Sequence, residues 1–263
     1  MTDKAIRNGL SGERQCFDLP VPAIGKAFAI LDYLAGSTEP KSLTEIAGSL
    51  LIPKTSAFSL LNSLCALGVL RKVEGGLYAP SIRLYTLGVA ARISIAHNHE
   101  LIQCLNQLRD EIGHTVFFSL YDDGELVVWE KVEGFESVLF KAYTGERKRL
   151  NTSSAGKAIA AYLSNVELEK AISMGMDIRT ENSIVGREAF ITHLEQIRAC
   201  GYAIDDEEGE RGIFCIGVPV FDASGKVFGA VSMSALKSRI APGDIPNYTA
   251  ALKRTADRVS TVM

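Results

Sequence analysis

Ser42-Leu43-Thr44-Glu45-Ile46-Ala47-Gly48-Ser49-Leu50-Leu51-Ile52-Pro53-Lys54-Thr55-Ser56-Ala57-Phe58-Ser59-Leu60-Leu61-Asn62 is the stretch on which the fold turns. Ser42 and Glu45 have the spacing of a capping box, in which hydroxyl and carboxylate each satisfy an orphan backbone donor at a helix start. A short helix through Ser49 follows, burying Leu43, Ile46 and Ala47. Leu50 to Pro53 breaks the pattern. A second helix runs from about Lys54 to Leu67 with Ala57, Leu60, Leu61 and Leu64 inward, closed by Gly68. Two helices joined by a tight turn make a helix-turn-helix over about residues 43–62.

Upstream, Ile24, Ala27, Phe28, Leu31, Leu34 and Ala35 recur at helical spacing from Ala23 to Gly36. Downstream, Val69 to Val73 and Leu77 to Ala79 read as two short strands around Gly75-Gly76, a pair suited to the positive φ of a hairpin turn. The order, helix, helix, turn, helix, two-stranded wing, defines a winged helix-turn-helix over residues 20–80, behind a polar, aperiodic arm over residues 1–19. In such modules the second helix enters the major groove. Its exposed face here is Lys54, Thr55, Ser56, Phe58, Ser59 and Asn62, with Arg71 and Lys72 on the wing to grip flanking phosphates. Asn62 suits an adenine edge and Phe58 a thymine methyl. The competing reading is a protein-interaction module or structural cap. From Pro20 to Pro80 five basic residues face four acidic ones, so charge does not separate the two.

A helix from Ser81 to Ala96 carries more apolar surface than one small domain buries; residues 81–98 read as a linker helix able to pair with a second subunit. Residues 99–263 begin with a helix from Glu100 to Ile112 and then switch to strands. Thr115 to Tyr121 and Glu125 to Val132 flank the hairpin signal Asp122-Asp123-Gly124, and Ser137 to Tyr143 is expected as a third strand. Helices follow at Ser154 to Leu163 and Arg187 to Cys200, strands at Cys215 to Val220 and Val227 to Ser234, and a last helix from Pro246 to Val262. Antiparallel strands with helices on the faces make this unit α+β.

The 263 residues are 47% hydrophobic, enough for packed cores, and the 28 Lys and Arg against 31 Asp and Glu give a net charge of −3. A field of that sign repels phosphate, so any DNA contact must be local. Five scattered cysteines without a Cys-x-x-Cys, no long apolar run and no export signal point to a reducing compartment, with no membrane partner and a cytoplasmic location. No Gly-x-Ser-x-Gly, His-Glu-x-x-His or Walker-type motif is present, and His97-x-His99 cannot put both rings on one helix face. Neither an enzyme nor a metal or cofactor site is expected.

The run Pro53 to Leu61 and the two-glycine wing resemble the IclR family of bacterial transcriptional regulators. So, in order and spacing, do Gly113-His114-Thr115-Val116, Thr152 to Ala158, Arg198 to Tyr202, Asp205 to Glu208, Pro219 to Asp222 and Val231 to Ser234. The resemblance covers essentially the whole chain after Pro22. It implies a two-domain α+β protein: an N-terminal winged helix-turn-helix, a linker helix and a C-terminal GAF-like effector-binding domain with an antiparallel sheet, working as a homodimer or dimer of dimers. One departure stands out: Phe58-Ser59 occupies the place where family members commonly carry histidine or tyrosine followed by arginine, so relatives' operator sequences do not transfer.

The implied partners are a double-stranded DNA operator and a small organic-acid effector, and the implied role is repression of a catabolic operon. An activator of the same class, or a ligand-binding protein with a degenerate helix-turn-helix, stays open. Ser153, Ser154, Ala155 and Gly156 lie at a helix start, where free N–H groups favour a carboxylate, and the resemblance places them in the pocket with Asp205, Cys215, Ser232 and Ser234. Plainer roles compete: a cap for Ser153 or Ser154, a small buried hydrophobe for Cys215, a water-facing strand edge for the serines, a solvated acidic turn for Asp205 to Glu208. Lys157 is read as a surface charge and left out of the ligand set.

Overall fold

The computed structural model describes residues 19–95, 98–135 and 140–263; the arm ahead of Leu19 lies outside the described residues. The chain divides into two compact units between residues 96 and 97.

The first unit contains α1 (Pro22–Ala35), α2 (Leu43–Ser49), α3 (Lys54–Ala66), strands β1 (Leu70–Val73) and β2 (Leu77–Pro80), and α4 (Ile82–Ile95). The capping box starts α2: Ser42 Oγ accepts from Glu45 N at 3.2 Å, and Glu45 Oε2 accepts from Ser42 N at 2.8 Å. That hydrogen bonding holds the Glu45 carboxyl below its ordinary value. Ile30, Leu34, Ile46, Ala57, Leu61 and Leu70 form the core on which the three helices and the wing close. The wing is an antiparallel pair running from Leu70↔Pro80 to Val73↔Leu77. Gly75 and Gly76 turn it with φ of 77° and 72°, values that carry no steric cost only in glycine.

The second unit contains α5 (Asn98–Ile112), β3 (Thr115–Asp122), β4 (Glu125–Val132), β5 (Arg147–Lys148), α6 (Ser154–Ala160), α7 (Asn165–Ser173), α8 (Arg187–Cys200), β6 (Ala203–Asp206), β7 (Ile213–Phe221), β8 (Val227–Leu236) and α9 (Ile245–Val262). All pairings in its six-stranded sheet, ordered β5-β4-β3-β8-β7-β6, are antiparallel. Side-chain alternation splits the core into two layers. Val116, Phe118, Val231 and Met233 pack with Leu101 and Leu105 of α5 and Leu252 and Val259 of α9. Phe117, Leu126 and Ala230 pack with Ala158 and Ile159 of α6, Leu168 of α7 and Phe190 and Leu194 of α8.

Several elements of the second unit depart from the sequence expectation. The third strand, Ser137 to Tyr143, does not form over Phe140 to Tyr143; its residues 137–139 lie outside the described residues. Strand β5 takes the place beside β4 instead, pairing Lys148 with Leu126 and Arg147 with Val127. Helix α6 stops at Ala160 rather than Leu163. The stretch between α6 and α8, for which no element is expected from the sequence, holds α7, whose capping box, Ser164 with Glu167, is complete, and strand β6 after α8 is likewise not expected.

Candidate functional site

On the first unit the groove-facing candidates follow from the burial of the opposite side of α3. With Ala57, Leu61 and Leu64 inward, Lys54, Thr55, Phe58 and Ser59 are exposed and Ser56 and Asn62 half-buried. Arg71 and Lys72 are exposed on β1. Lys72 Nζ donates to Asn62 Oδ1 at 3.4 Å. Lys72 also lies 5.5 Å from the centre of the Tyr78 ring, so this wing cation is anchored by the helix and by its own hairpin. Helix α4 exposes Ile82, Tyr85, Leu87 and Ile93, each by more than half.

The candidate residues of the second unit gather where α6 crosses the sheet. Gly217 lies directly beneath the start of α6: a Cβ there would sit 2.6 Å from the Ser154 carbonyl. Gly156 lies as close to the turn at Leu150, where a Cβ would meet the carbonyl oxygen at 2.5 Å. The two glycines let the helix settle against backbone on both sides, and every residue of α6 is buried. Ser153 caps it, its Oγ accepting from Gly156 N at 3.0 Å. The sheet face beneath carries a cross-strand row, Asp205↔Cys215↔Ser234↔Thr115, with Gly217↔Ser232↔Phe117 beside it. Ser232 and Ser234 share this face because Val231, Met233 and Ala235 take the other. Cys215 Sγ and Ser234 Oγ are 3.0 Å apart. Burial and the charge of Asp205 push the Cys215 thiol well above its ordinary value, so it stays protonated and is a poor nucleophile.

Lys157 corrects the sequence reading. It is fully buried, not a surface charge, and its Nζ donates to Ile204 O at 2.6 Å and to the Glu208 carboxylate. The acidic run likewise is not a solvated turn. Asp205 and Glu208 are buried, and Asp205 Oδ1 accepts from Glu208 N at 2.8 Å and Gly209 N at 3.2 Å. Burial raises the Asp205 and Glu208 carboxyls and lowers the Lys157 ammonium; the attraction between Lys157 and the two acids opposes all three shifts. The signal for this cluster was the four-residue spacing from Asp205 to Gly209, which lets a carboxylate cap its own turn.

Among the described residues no group of three or more His, Cys, Asp or Glu side chains is placed to hold a metal ion, and no helix is long and apolar enough to cross a membrane.

Comparison with known proteins fits both halves. The IclR helix-turn-helix domain matches residues 23–74, and the C-terminal domain of bacterial transcriptional regulator IclR matches residues 89–261. The chain is 28% identical over 246 residues to the HTH-type transcriptional regulator XynR of Escherichia coli (strain K12), covering 92% of this chain and 97% of that one. It is 29% identical over 247 residues to the HTH-type transcriptional repressor AllR of Klebsiella pneumoniae, covering 92% and 89%. The crystal structure of the Thermotoga maritima IclR aligns with a TM-score of 0.68 at 29% identity, covering 90% of this chain and 97% of that one. The chain belongs to the IclR family of bacterial transcriptional regulators.

Proposed function

We propose that this regulator is a cytoplasmic repressor of a catabolic operon that leaves or grips its operator in response to a small organic acid. The observation that carries the reading is the polar row of buried Asp205 and Cys215 and half-buried Ser234 beneath α6, with buried Ser232 beside it. A core made only for stability fills such a face with apolar side chains, because each buried polar group costs free energy unless paired. Here Cys215 pairs with Ser234 and Asp205 with the Glu208 and Gly209 N–H groups, and the remaining lone pairs and hydroxyls of the row suit the polar groups of a ligand. Repression is supported by the relative AllR, a named repressor.

On this reading residues 20–80 dock on DNA, with Lys54, Thr55, Ser56, Phe58, Ser59, Asn62, Arg71 and Lys72 at the interface, and residues 99–263 hold the effector. The apolar residues exposed on α4 support pairing of two copies through residues 81–98. An effector shifts DNA affinity only by its differential affinity for two arrangements of the dimer. The test is a gel shift with DNA from upstream of the protein's own gene, with and without small carboxylates. A repressor of this kind is released or tightened by at least one acid, and the Ser232→Val/Ser234→Val double variant loses that response while still binding DNA. A full response in the variant removes the serines from the pocket, and no sequence-selective shift under any condition removes the DNA-binding role.

A further inference from the structure

Lys157 cannot be the cation that meets the effector, since Glu208 and the Ile204 carbonyl already hold it. The start of α6 is partly used as well: Ser153 takes the Gly156 N–H through its side chain and the Lys157 N–H, at 3.0 Å, through its carbonyl. A second cation faces the same space. Lys148 pairs with Leu126 across β4 and β5, and Leu126 packs in the core layer under α6. Cross-strand partners share a face, so Lys148 projects from the face that carries Cys215, Ser234 and Thr115. Its neighbour Arg147 projects from the other face and is taken there by Glu125 and Asp122, each at 2.8 Å.

Strands β5 and β6 are opposite edges of the sheet. In a flat sheet five spacings would part them by roughly 24 Å. Here the chain folds the edges toward each other. The turn after β5 lies on Gly209, where a Cβ would meet Thr152 O at 2.6 Å and Asp205 Oδ2 at 3.2 Å. Lys141, before β5, pairs with Glu210, beyond β6, at 2.8 Å. The charge of Lys148 accordingly acts on both Asp205 and Cys215. Lys148 also pairs with Glu146 at 3.3 Å, with both side chains about a quarter exposed at 27% and 24%. That separation is longer than a tight charge-assisted contact, and an ammonium has three protons to donate.

We propose that Lys148 binds the carboxylate of the effector and Asp205, facing it, accepts the effector's hydroxyls, so that the pocket selects hydroxycarboxylates over plain acids and over neutral polyols. The proposal rests on reading the Asp205, Cys215 and Ser234 face as the effector pocket. Two poles of opposite sign separated by neutral hydroxyl and thiol groups match a ligand with an anion at one end and donors at the other. A plain acid brings Asp205 no donor, and a polyol brings Lys148 no anion.

The experiment uses the full-length protein, with thermal shift and calorimetry against glycolate, glycerate and gluconate, against acetate, propionate and hexanoate, and against glycerol and sorbitol. Wild type, Lys148→Gln, Lys148→Arg and Asp205→Asn are compared. At least one hydroxy acid binds wild type, at least about 10-fold tighter than its plain counterpart and than the polyols. Lys148→Gln weakens that acid by about 10- to 100-fold, the loss of one charged hydrogen bond, and Lys148→Arg restores most of it. Asp205→Asn narrows the preference for the hydroxy acid. Because the Lys148–Glu146 pair is partly exposed, the ligand-free melting temperature of Lys148→Gln stays close to wild type. If no carboxylate binds wild type, the organic-acid reading falls and this proposal falls with it. If acids bind wild type and Lys148→Gln alike, or if plain acids bind as tightly as hydroxy acids, the proposal falls and that reading stands.

Discussion

The two units present their candidate groups in opposite ways. On the first, Lys54, Thr55, Phe58, Ser59, Arg71 and Lys72 stand in solvent; on the second, Ser154, Lys157, Asp205, Glu208, Cys215 and Ser232 are buried. On the proposed function the difference follows from the size of what each meets. A DNA duplex cannot be enveloped, so its phosphates must be reached by exposed cations whose attraction is long-ranged and screened by salt. A small acid can be enclosed, and folding then has already removed water from the groups that receive it. Such preorganisation leaves charges in the interior that need partners. The Lys157–Glu208 pair is the clearest instance: it ties α6 to the loop after β6 that holds Asp205.

That pair is where the contrast breaks most visibly. Replacing Lys157 with Met strands the Glu208 carboxylate and should cost about 3–5 kcal/mol in urea unfolding of the second unit. The Lys157→Met/Glu208→Leu double variant should recover most of the loss, because two apolar groups of similar volume often replace a buried pair without penalty. A single variant that loses less than about 1 kcal/mol would mean the pair is solvated. Gly217→Ala comes next. The added methyl falls 2.6 Å from the Ser154 carbonyl and lifts α6 off the sheet, so a loss of about 1–3 kcal/mol should accompany weakened effector binding in calorimetry. Unchanged binding would detach the start of α6 from the pocket.

The same contrast explains how much could be read from the sequence. The first unit was legible because its elements are local: a capping box, a proline break and a Gly-Gly turn each announce themselves within four residues. Helices α5, α6, α8 and α9 and strands β3, β4, β7 and β8 were legible for the same reason, whereas α7 was missed although it starts on a local capping box, and so was β6. The other misses are non-local. Strand β5 has two residues and is defined by its partner β4, not by any period of its own. The Lys157–Glu208 contact joins positions 51 residues apart, and a lysine beside Gly156 carries no mark of burial. The serines were legible by alternation, whereas the direction of Lys148 is fixed only by its register with Leu126. The Lys72–Asn62 contact is non-local in the same way, since it joins the wing to α3.

Smaller effects sharpen the exposed side of the comparison. Lys54→Ala and Arg71→Ala should each reduce the slope of log affinity against log salt by about 0.9 in titrations of operator DNA, with the melting temperature unchanged. Unaltered slopes in both would move the DNA surface elsewhere. Lys72→Ala differs because this cation also braces Asn62 and Tyr78. It should lose a similar DNA slope and in addition about 0.5–1 kcal/mol of stability in the first unit.

The smallest effect concerns His193 on α8, whose Nε2 is buried without a hydrogen-bond partner among the described residues. Burial first, and then the charge of Lys157, push this imidazole down to about 4. The unfolded chain protonates it near 6.5, so between about pH 6.5 and 4 the unfolded state binds more protons. Its contribution to stability is therefore complete above pH 6.5 and is lost as pH falls toward 4. Asp205 and Glu208 act in the opposite sense, because burial raises their carboxyls and the folded state holds their protons longer as pH rises. The wild-type curve thus mixes the two, and the difference between wild type and His193→Gln isolates the histidine, since the amide has the polarity of a neutral imidazole and does not titrate. Melting temperatures measured from pH 7 to pH 4 should fall more steeply in wild type than in the variant. Parallel curves would mean His193 gains its proton as readily in the folded protein as in the unfolded chain, and the ground below α6 would then be open to water rather than sealed around Lys157.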